Sequence, residues 1–282
     1  MRSESPFRAF ISGGGELALR VCSALVLVPV ALAVAYAGGA LFALFWGAAA
    51  IGTLREWISL VAGSQRRATT SVGAASLAAA VVLVTGRHVG GAIAALAIGA
   101  GAAAALAPWQ GRAWVAAGIA YCGALALAPI ILRGDADSGF LAIIYLFAIV
   151  WGTDTAAFFI GRAIGGARLM PQVSPGKTWS GALAGVVAAI LLGAVVADAS
   201  GLARIWTVAV LAAALSVAAQ AGDLFESFLK RKFGAKDSGR IIPGHGGLMD
   251  RLDGFVAAGL IAALLGIARG GIDEPARGLL AW

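Results

Sequence analysis

The chain has 282 residues, of which 60% are hydrophobic and 12% charged, with 40 glycines and a mean hydropathy of +0.91. That leaves too little polar surface for a water-soluble globule and reads as an all-α, polytopic integral membrane protein. The formal net charge of +7 comes from basic residues in short loops between apolar runs, the pattern that orients membrane helices, and argues against a nucleic-acid partner.

A hydrocarbon core of about 30 Å takes roughly 20 apolar residues in a helix, fewer where other helices shield them. Nine spans are predicted near residues 20–37, 39–54, 71–86, 89–107, 113–132, 139–161, 178–197, 205–222 and 254–268, the second and ninth being short. Ala35-Tyr36-Ala37 resembles a signal-peptide cleavage site, but hydrophobicity resumes through Leu54, so the first helix is read as one that remains. With the N-terminus inside, sixteen of the twenty-one Lys and Arg residues fall on the cytoplasmic side, which predicts an N-in, C-out topology. Trp57, Trp109, Trp114, Trp179 and Trp206 fall near predicted span ends and are expected in the headgroup belt. Gly161-xxx-Gly165 and Gly181-xxx-Gly185 have the small-residue spacing that lets membrane helices approach closely. Cys22 and Cys122 both lie in apolar runs, so they read as packing residues rather than a disulfide framework or a zinc site. Residues 1–282 form a single integral membrane domain, with its side-chain chemistry concentrated in 151–181 and 222–254.

Ionisable groups are costly in a membrane and are kept mainly near a site, a partner or an interface. Asp154 comes first in the chain, followed by Ser174-Pro175-Gly176-Lys177-Thr178. There Ser174 resembles an N-cap, Pro175 suits a first helical position, and Lys177 adds a cation at a helix start that favours an anion. Gly176-Lys177-Thr178 is not a Walker motif, because the required earlier glycine would be at position 171, which is Pro171, and no strand is predicted before it.

If a helix continues through 223–233, Asp223, Glu226, Ser227 and Lys230 share one face, and Asp250 and Asp253 make a second acidic pair. Carboxylates from separate helices suit a hard cation such as Mg²⁺, which takes oxygen ligands and shares them with phosphates. Zinc fits poorly, with one nearby histidine and no thiol. Gly244, Gly246 and Gly247 flank His245 before the last span, where a tight glycine backbone can bring amides close to phosphate oxygens. No nucleophilic triad or acid/base pair for glycoside chemistry emerges. That pattern suits transfer onto a phosphate that is already an anionic nucleophile, for which the protein chiefly supplies cations and alignment.

The run Ser227, Leu229 to Arg231, Lys236-Asp237, His245 to Gly247 and Asp250 to Asp253 resembles, over 27 ungapped positions, the signature of the phosphatidate cytidylyltransferase family. Gly222-Asp223-Leu224, Glu226-Ser227, Asp154-Thr155, Ser174-Pro175 and Lys177-Thr178 resemble it too, while Ser180 departs from it where many members carry Glu. The resemblance implies a Mg²⁺-dependent reaction of CTP with phosphatidate to give CDP-diacylglycerol and pyrophosphate, with K⁺ as a second cation. Asp223 and Asp250 are then expected as the leading metal ligands, with Asp253, Glu226 and Asp154 as helpers. Lys230, Arg231, Lys236 and Arg251 would hold the CTP triphosphate or the lipid phosphate, while Ser227, Asp237 and His245 shape or polarise the site. Ser174, Lys177, Thr178, Gly246 and Gly247 are expected to bind substrate.

The site is expected on the cytoplasmic face of a bacterial inner membrane, among membrane lipids. The oligomeric state is left open, a homodimer included. A CTP-dependent enzyme acting on an isoprenoid phosphate or alcohol is the nearest rival. An ion-coupled transporter is a weaker one, since transporters usually show inverted repeats and midplane sites.

Overall fold

The computed structural model describes residues 25–62, 66–239 and 246–282. Within these, helices α1 (Leu25–Ala37) and α2 (Gly39–Val61) are followed by α3 (Arg66–Thr85), α4 (Val89–Leu106), α5 (Arg112–Arg133) and α6 (Gly139–Ile164). A hairpin of β1 (Arg168–Met170) and β2 (Ser174–Thr178) leads to α7 (Trp179–Ala199), α8 (Ile205–Lys232), α9 (Met249–Gly270) and the short α10 (Pro275–Leu280). Eight of the described helices are long and apolar enough to cross a membrane, and α1 is a shorter apolar helix. The chain is therefore a helical polytopic membrane protein. Cys22 lies outside the described residues, whereas Cys122 is a free, fully buried packing residue on α5.

Helix α5 is the axis of the bundle, packed against α2, α3, α4 and α9. Helix α4 is a rim element, with only 17% of its apolar length buried inside the protein. Because lipid tails are as apolar as leucine, close association inside the bilayer comes from tight packing and buried polar contacts. Both are present. A Cβ on Gly181 would lie 2.6 Å from the Ala157 carbonyl oxygen, and one on Gly161 3.1 Å from the Gly181 Cα, so α6 and α7 meet through their glycines. Gly185 belongs to the same seam, against Thr153. Gly165 does not: it ends α6 at φ +66°, a left-handed stop. Between α6, α7 and α8 runs a short polar chain in which Thr153 Oγ1 donates to Ser216 Oγ (2.8 Å) and Gln220 Nε2 donates to the Ala182 carbonyl (3.2 Å).

Three sequence expectations change. Ser174 and Pro175 do not start a helix: they lie in β2, and the N-cap of α7 is Thr178, whose Oγ1 accepts from Gly181 N at 3.1 Å. The reason is local. The hairpin satisfies the backbone of 174–178, and Thr178 supplies the cap oxygen that the first turn needs. Trp57 is not a belt residue but is 1% exposed, with its Nε1 donating to the Trp114 carbonyl at 2.8 Å. Gly118 leaves the room for this indole. Trp109, Trp179 and Trp206 are exposed, as belt residues should be. Finally, α2 and α8 run past their predicted ends at 54 and 222, and α9 begins before its predicted start at 254. The carboxylates in those extensions (Glu56, Asp223, Glu226, Asp250 and Asp253) are buried or half-buried against protein, so the helical hydrogen-bond ladder continues through them.

Candidate active site

The overshooting helix ends supply the site. In the last turns of α8, Asp223, Glu226 and Lys230 point towards the start of α9, which carries Asp250 in its first turn and Asp253 in the next. Gly222 permits this approach, since a Cβ there would lie 2.5 Å from the Asp253 carbonyl oxygen and 2.9 Å from the Ala257 Cβ. Carboxylate oxygens of Asp223, Glu226 and Asp253 lie within 4.8 Å of one another. Lys230 Nζ bridges two helices, donating to Glu226 Oε2 and Asp250 Oδ1, each at 2.7 Å. Lys177, at the end of β2, pairs with Asp223 and thereby ties the hairpin to α8. Asp154 on α6 lies within electrostatic reach of Asp223, Lys177 and Arg251.

Asp250 meets a different set of partners from its neighbours. One oxygen takes Lys230, and the other accepts from Gly247 N (3.0 Å) and Ser238 N (3.3 Å), so the carboxylate organises the loop before α9. The Gly247 amide, expected to bind substrate, here donates to Asp250. Gly246 precedes it at φ +82°, which the turn requires.

Glu56, on α2, is a site residue that the sequence reading passed over. It is 4% exposed and accepts from Leu248 N (3.0 Å), Met249 N (2.8 Å) and Ser238 Oγ (3.3 Å). Leu248, at the N-cap position of α9, makes no side-chain cap bond, so a carboxylate from a distant helix satisfies the orphan amides instead. A signal was present. Trp57-Ile58-Ser59-Leu60-Val61 resumes the apolar run after Glu56, which places the acid inside a span rather than beyond it.

The remaining expected residues are distributed as follows. Ser227 is half-buried on α8, and Arg231, Lys236, Asp237 and Arg251 are exposed around the mouth of the cluster. Thr178 is buried in its capping role. Ser174 lies in β2, away from any helix start. His245 lies outside the described residues.

The donor set fits a hard divalent cation. Six carboxylates (Glu56, Asp154, Asp223, Glu226, Asp250 and Asp253) gather here with the cations Lys177, Lys230 and Arg251. A bound cation would offset repulsion between these carboxylates and an approaching polyphosphate. Glu226 Oε1 is buried without a hydrogen-bond partner, and so is the Tyr121 hydroxyl, which lies within electrostatic reach of Asp253, Glu226 and Asp223. Tyr121 packs with Trp57 and Phe225 (ring centroids 5.1 and 6.1 Å apart) as an aromatic wall beside the acids.

Carboxylates clustered at one end of a helical membrane bundle and edged by lysines and arginines are the donor set of an integral membrane enzyme, and three of the acids could hold a metal ion. The particular family follows from sequence comparison. The chain belongs to the cytidylyltransferase family, whose model matches residues 18–267. It is 44% identical over 266 residues to the phosphatidate cytidylyltransferase of Brucella suis biovar 1, covering 92% of this chain and 97% of the relative. The Brucella abortus biovar 1 enzyme of the same name is 45% identical over 257 residues, covering 89% and 93%. A phosphatidate cytidylyltransferase of Haemophilus influenzae is 40% identical over 129 residues, 44% of this chain and 45% of the relative.

Proposed function

We infer that the chain transfers the cytidylyl group of CTP to phosphatidate, giving CDP-diacylglycerol and pyrophosphate. The observation that carries this reading is the near full-length match to phosphatidate cytidylyltransferases, and the acid-and-cation cluster supplies suitable chemistry. A phosphate oxygen of the lipid forms a bond to the α-phosphorus of CTP, and the bond from that phosphorus to the β-phosphate bridging oxygen breaks. Pyrophosphate leaves with the electron pair. No general base is needed, because the attacking phosphate is already an anion.

Asp223, Glu226 and Asp253 would hold Mg²⁺, with Asp154 close by. Bound there, the ion would offset negative charge on the triphosphate and on the leaving group. Arg231, Lys236 and Arg251, exposed at the mouth, receive the polyphosphate from water. Lys177 and Lys230, already paired with carboxylates, are held in place for the reacting phosphates, so little ordering entropy remains to be lost when substrates arrive. Asp250 and Glu56 hold Ser238 and the 247–249 start of α9 in place beside the cluster. CTP comes from the cytoplasm, so the cluster belongs at the cytoplasmic face of the plasma membrane, with phosphatidate entering from the bilayer.

The test is Mg²⁺-dependent pyrophosphate release from CTP by purified protein in mixed micelles. Release that requires phosphatidate and yields a CDP-lipid supports the reading. Activity on polyprenyl phosphate but not on phosphatidate sinks it. Repeating the assay with K⁺ replaced by Na⁺ reads out the second cation that the family resemblance suggests.

A further inference from the structure

At the end of the bundle opposite the acid cluster, two cavities meet. The first, about 230 Å³, lies among the ends of α2, α3, α5 and α9, and its wall includes Arg87, Arg133, Thr85 and Asp273. The second, about 420 Å³, is an apolar groove between α4, α5 and α9, lined by residues such as Leu96, Ala124 and Leu264. Val89 and Ile131 line both, so the polar cavity opens into the apolar groove.

The groove has the length of a single leaflet. Along α4 it reaches from Val89 to Ala100 and along α5 from Ile131 to Ala120, which at 1.5 Å per residue is about 16 Å, close to half of a hydrocarbon core of about 30 Å. Its outer rim faces the bilayer, with Ile93 and Leu264 both more than half exposed.

The mouth carries the charge that a phosphate needs. Arg133 donates from Nε to the Ala35 carbonyl (2.7 Å) and from Nη2 to the Tyr36 carbonyl (3.0 Å), which pins its guanidinium against the end of α1 with other N–H groups still to place. Gly38, at φ +62°, makes room for it, since a Cβ there would lie 2.6 Å from Arg133 Nη2. Arg87 sits in the α3–α4 turn at φ 65°, the one non-glycine residue with positive φ among those described. Its contact with Asp273 is loose, at 3.8 Å between largely exposed side chains. Two guanidiniums against one loosely held carboxylate, above an apolar slot one leaflet deep, match a head group and a tail in series.

We propose that this end of the bundle is a second lipid site, in which Arg87 and Arg133 take the phosphate of an anionic phospholipid and the α4–α5–α9 groove takes one of its acyl chains. The site is separate from the reaction centre and belongs to the other leaflet, so its ligand is a bound lipid rather than the substrate.

The test is thermal unfolding of the full chain in detergent, titrated with phosphatidylglycerol, with phosphatidylcholine of the same chains, or with inorganic phosphate. Phosphatidylglycerol should stabilise the wild type at lower mole fractions than phosphatidylcholine, and inorganic phosphate should give no increment. Arg87→Gln, on an exposed turn, should raise the phosphatidylglycerol fraction for half-effect by about fivefold, the change expected for one interfacial cation. Ala124→Phe, which fills the groove, should remove the response to both lipids. Equal responses of the wild type to the two lipids, a wild-type response in Arg87→Gln, or full stabilisation by inorganic phosphate would each overturn the proposal. So would stabilisation that follows protein concentration instead of lipid, which would mark the groove as a contact between copies.

Discussion

Glu56→Gln is the sharpest perturbation available, because it keeps the shape of the side chain and changes only what the carboxylate can accept. Glu56 takes three hydrogen bonds from the loop and from the start of α9, at 3.3, 3.0 and 2.8 Å. In glutamine one oxygen becomes a donor, so whichever way the amide is turned, at least one of the Leu248 and Met249 amides faces an N–H₂. A charge-assisted bond is worth roughly 1.5–3 kcal/mol, and a buried donor left unpaired costs about 1–3 kcal/mol. The favourable interaction of the acid with the N-terminus of α9, about 0.3–1 kcal/mol, is lost as well. A cost of about 2–3 kcal/mol falling on the placement of Ser238 and the start of α9 beside the acids lowers kcat/KM by roughly 30- to 150-fold. The assay is CTP turnover with phosphatidate in mixed micelles, beside a melting curve of the same preparation. Since the lost contacts order one loop and one helix start, the Tm should fall by only a few degrees. A variant with wild-type kcat/KM would refute the positioning role, and a collapsed Tm would show that Glu56 holds the bundle rather than the loop.

The other predictions separate residues that local spacing cannot. Asp223→Asn and Asp253→Asn should raise the Mg²⁺ concentration for half-maximal rate at least about tenfold, because each removes a charged oxygen ligand. Asp250→Asn should lower kcat at least about a hundredfold with the Mg²⁺ requirement little changed, as its oxygens serve Lys230 and the loop amides. A shift in Mg²⁺ dependence equal to that of Asp223→Asn would overturn this assignment. Gly247→Ala places a Cβ 1.9 Å from Ser238 Oγ and 2.9 Å from both Asp250 Oδ2 and Glu56 Oε2, so turnover should be lost. Gly246→Ala meets only Asp250 Oδ2, at 3.3 Å, and suffers mainly from its positive φ, a cost of roughly 1–2 kcal/mol or a 5- to 30-fold loss of kcat/KM. Equal rates for the two alanine variants would contradict the loop geometry. Gly181→Val drives a side chain into the Ala157 carbonyl and should cost about 1–3 kcal/mol at the α6–α7 seam, seen as a lowered Tm in detergent.

Much of this was legible before any coordinates. Runs of apolar residues long enough to cross a bilayer specify helices almost regardless of context, because unpaired backbone groups cannot be left in hydrocarbon. Every predicted span has a counterpart among the described helices, and Cys122 is the buried packing residue that its apolar setting predicts. The acids and lysines of the 223–253 segment were legible for the converse reason: charge inside an apolar chain is expensive and therefore conspicuous. The same reasoning misjudged where those helices end. Counting apolar residues stopped α2 before Glu56 and α8 before Asp223, since it treats a carboxylate as a boundary even where another helix shields it.

By itself, then, the sequence determined the membrane class, the approximate spans and the chemical content of the site, all of which depend on local hydropathy and on residues close together in the chain. Only the tertiary structure decided which groups each acid meets. Glu56 caps a helix start 193 positions away, Asp250 meets Lys230 and the amides of Gly247 and Ser238, and Trp57 moves from the belt into the core beside Gly118. A carboxylate has the same formal charge at every position, and whether it meets a cation, an amide or a metal depends on which helices pack together, information that spacing along one helix does not carry.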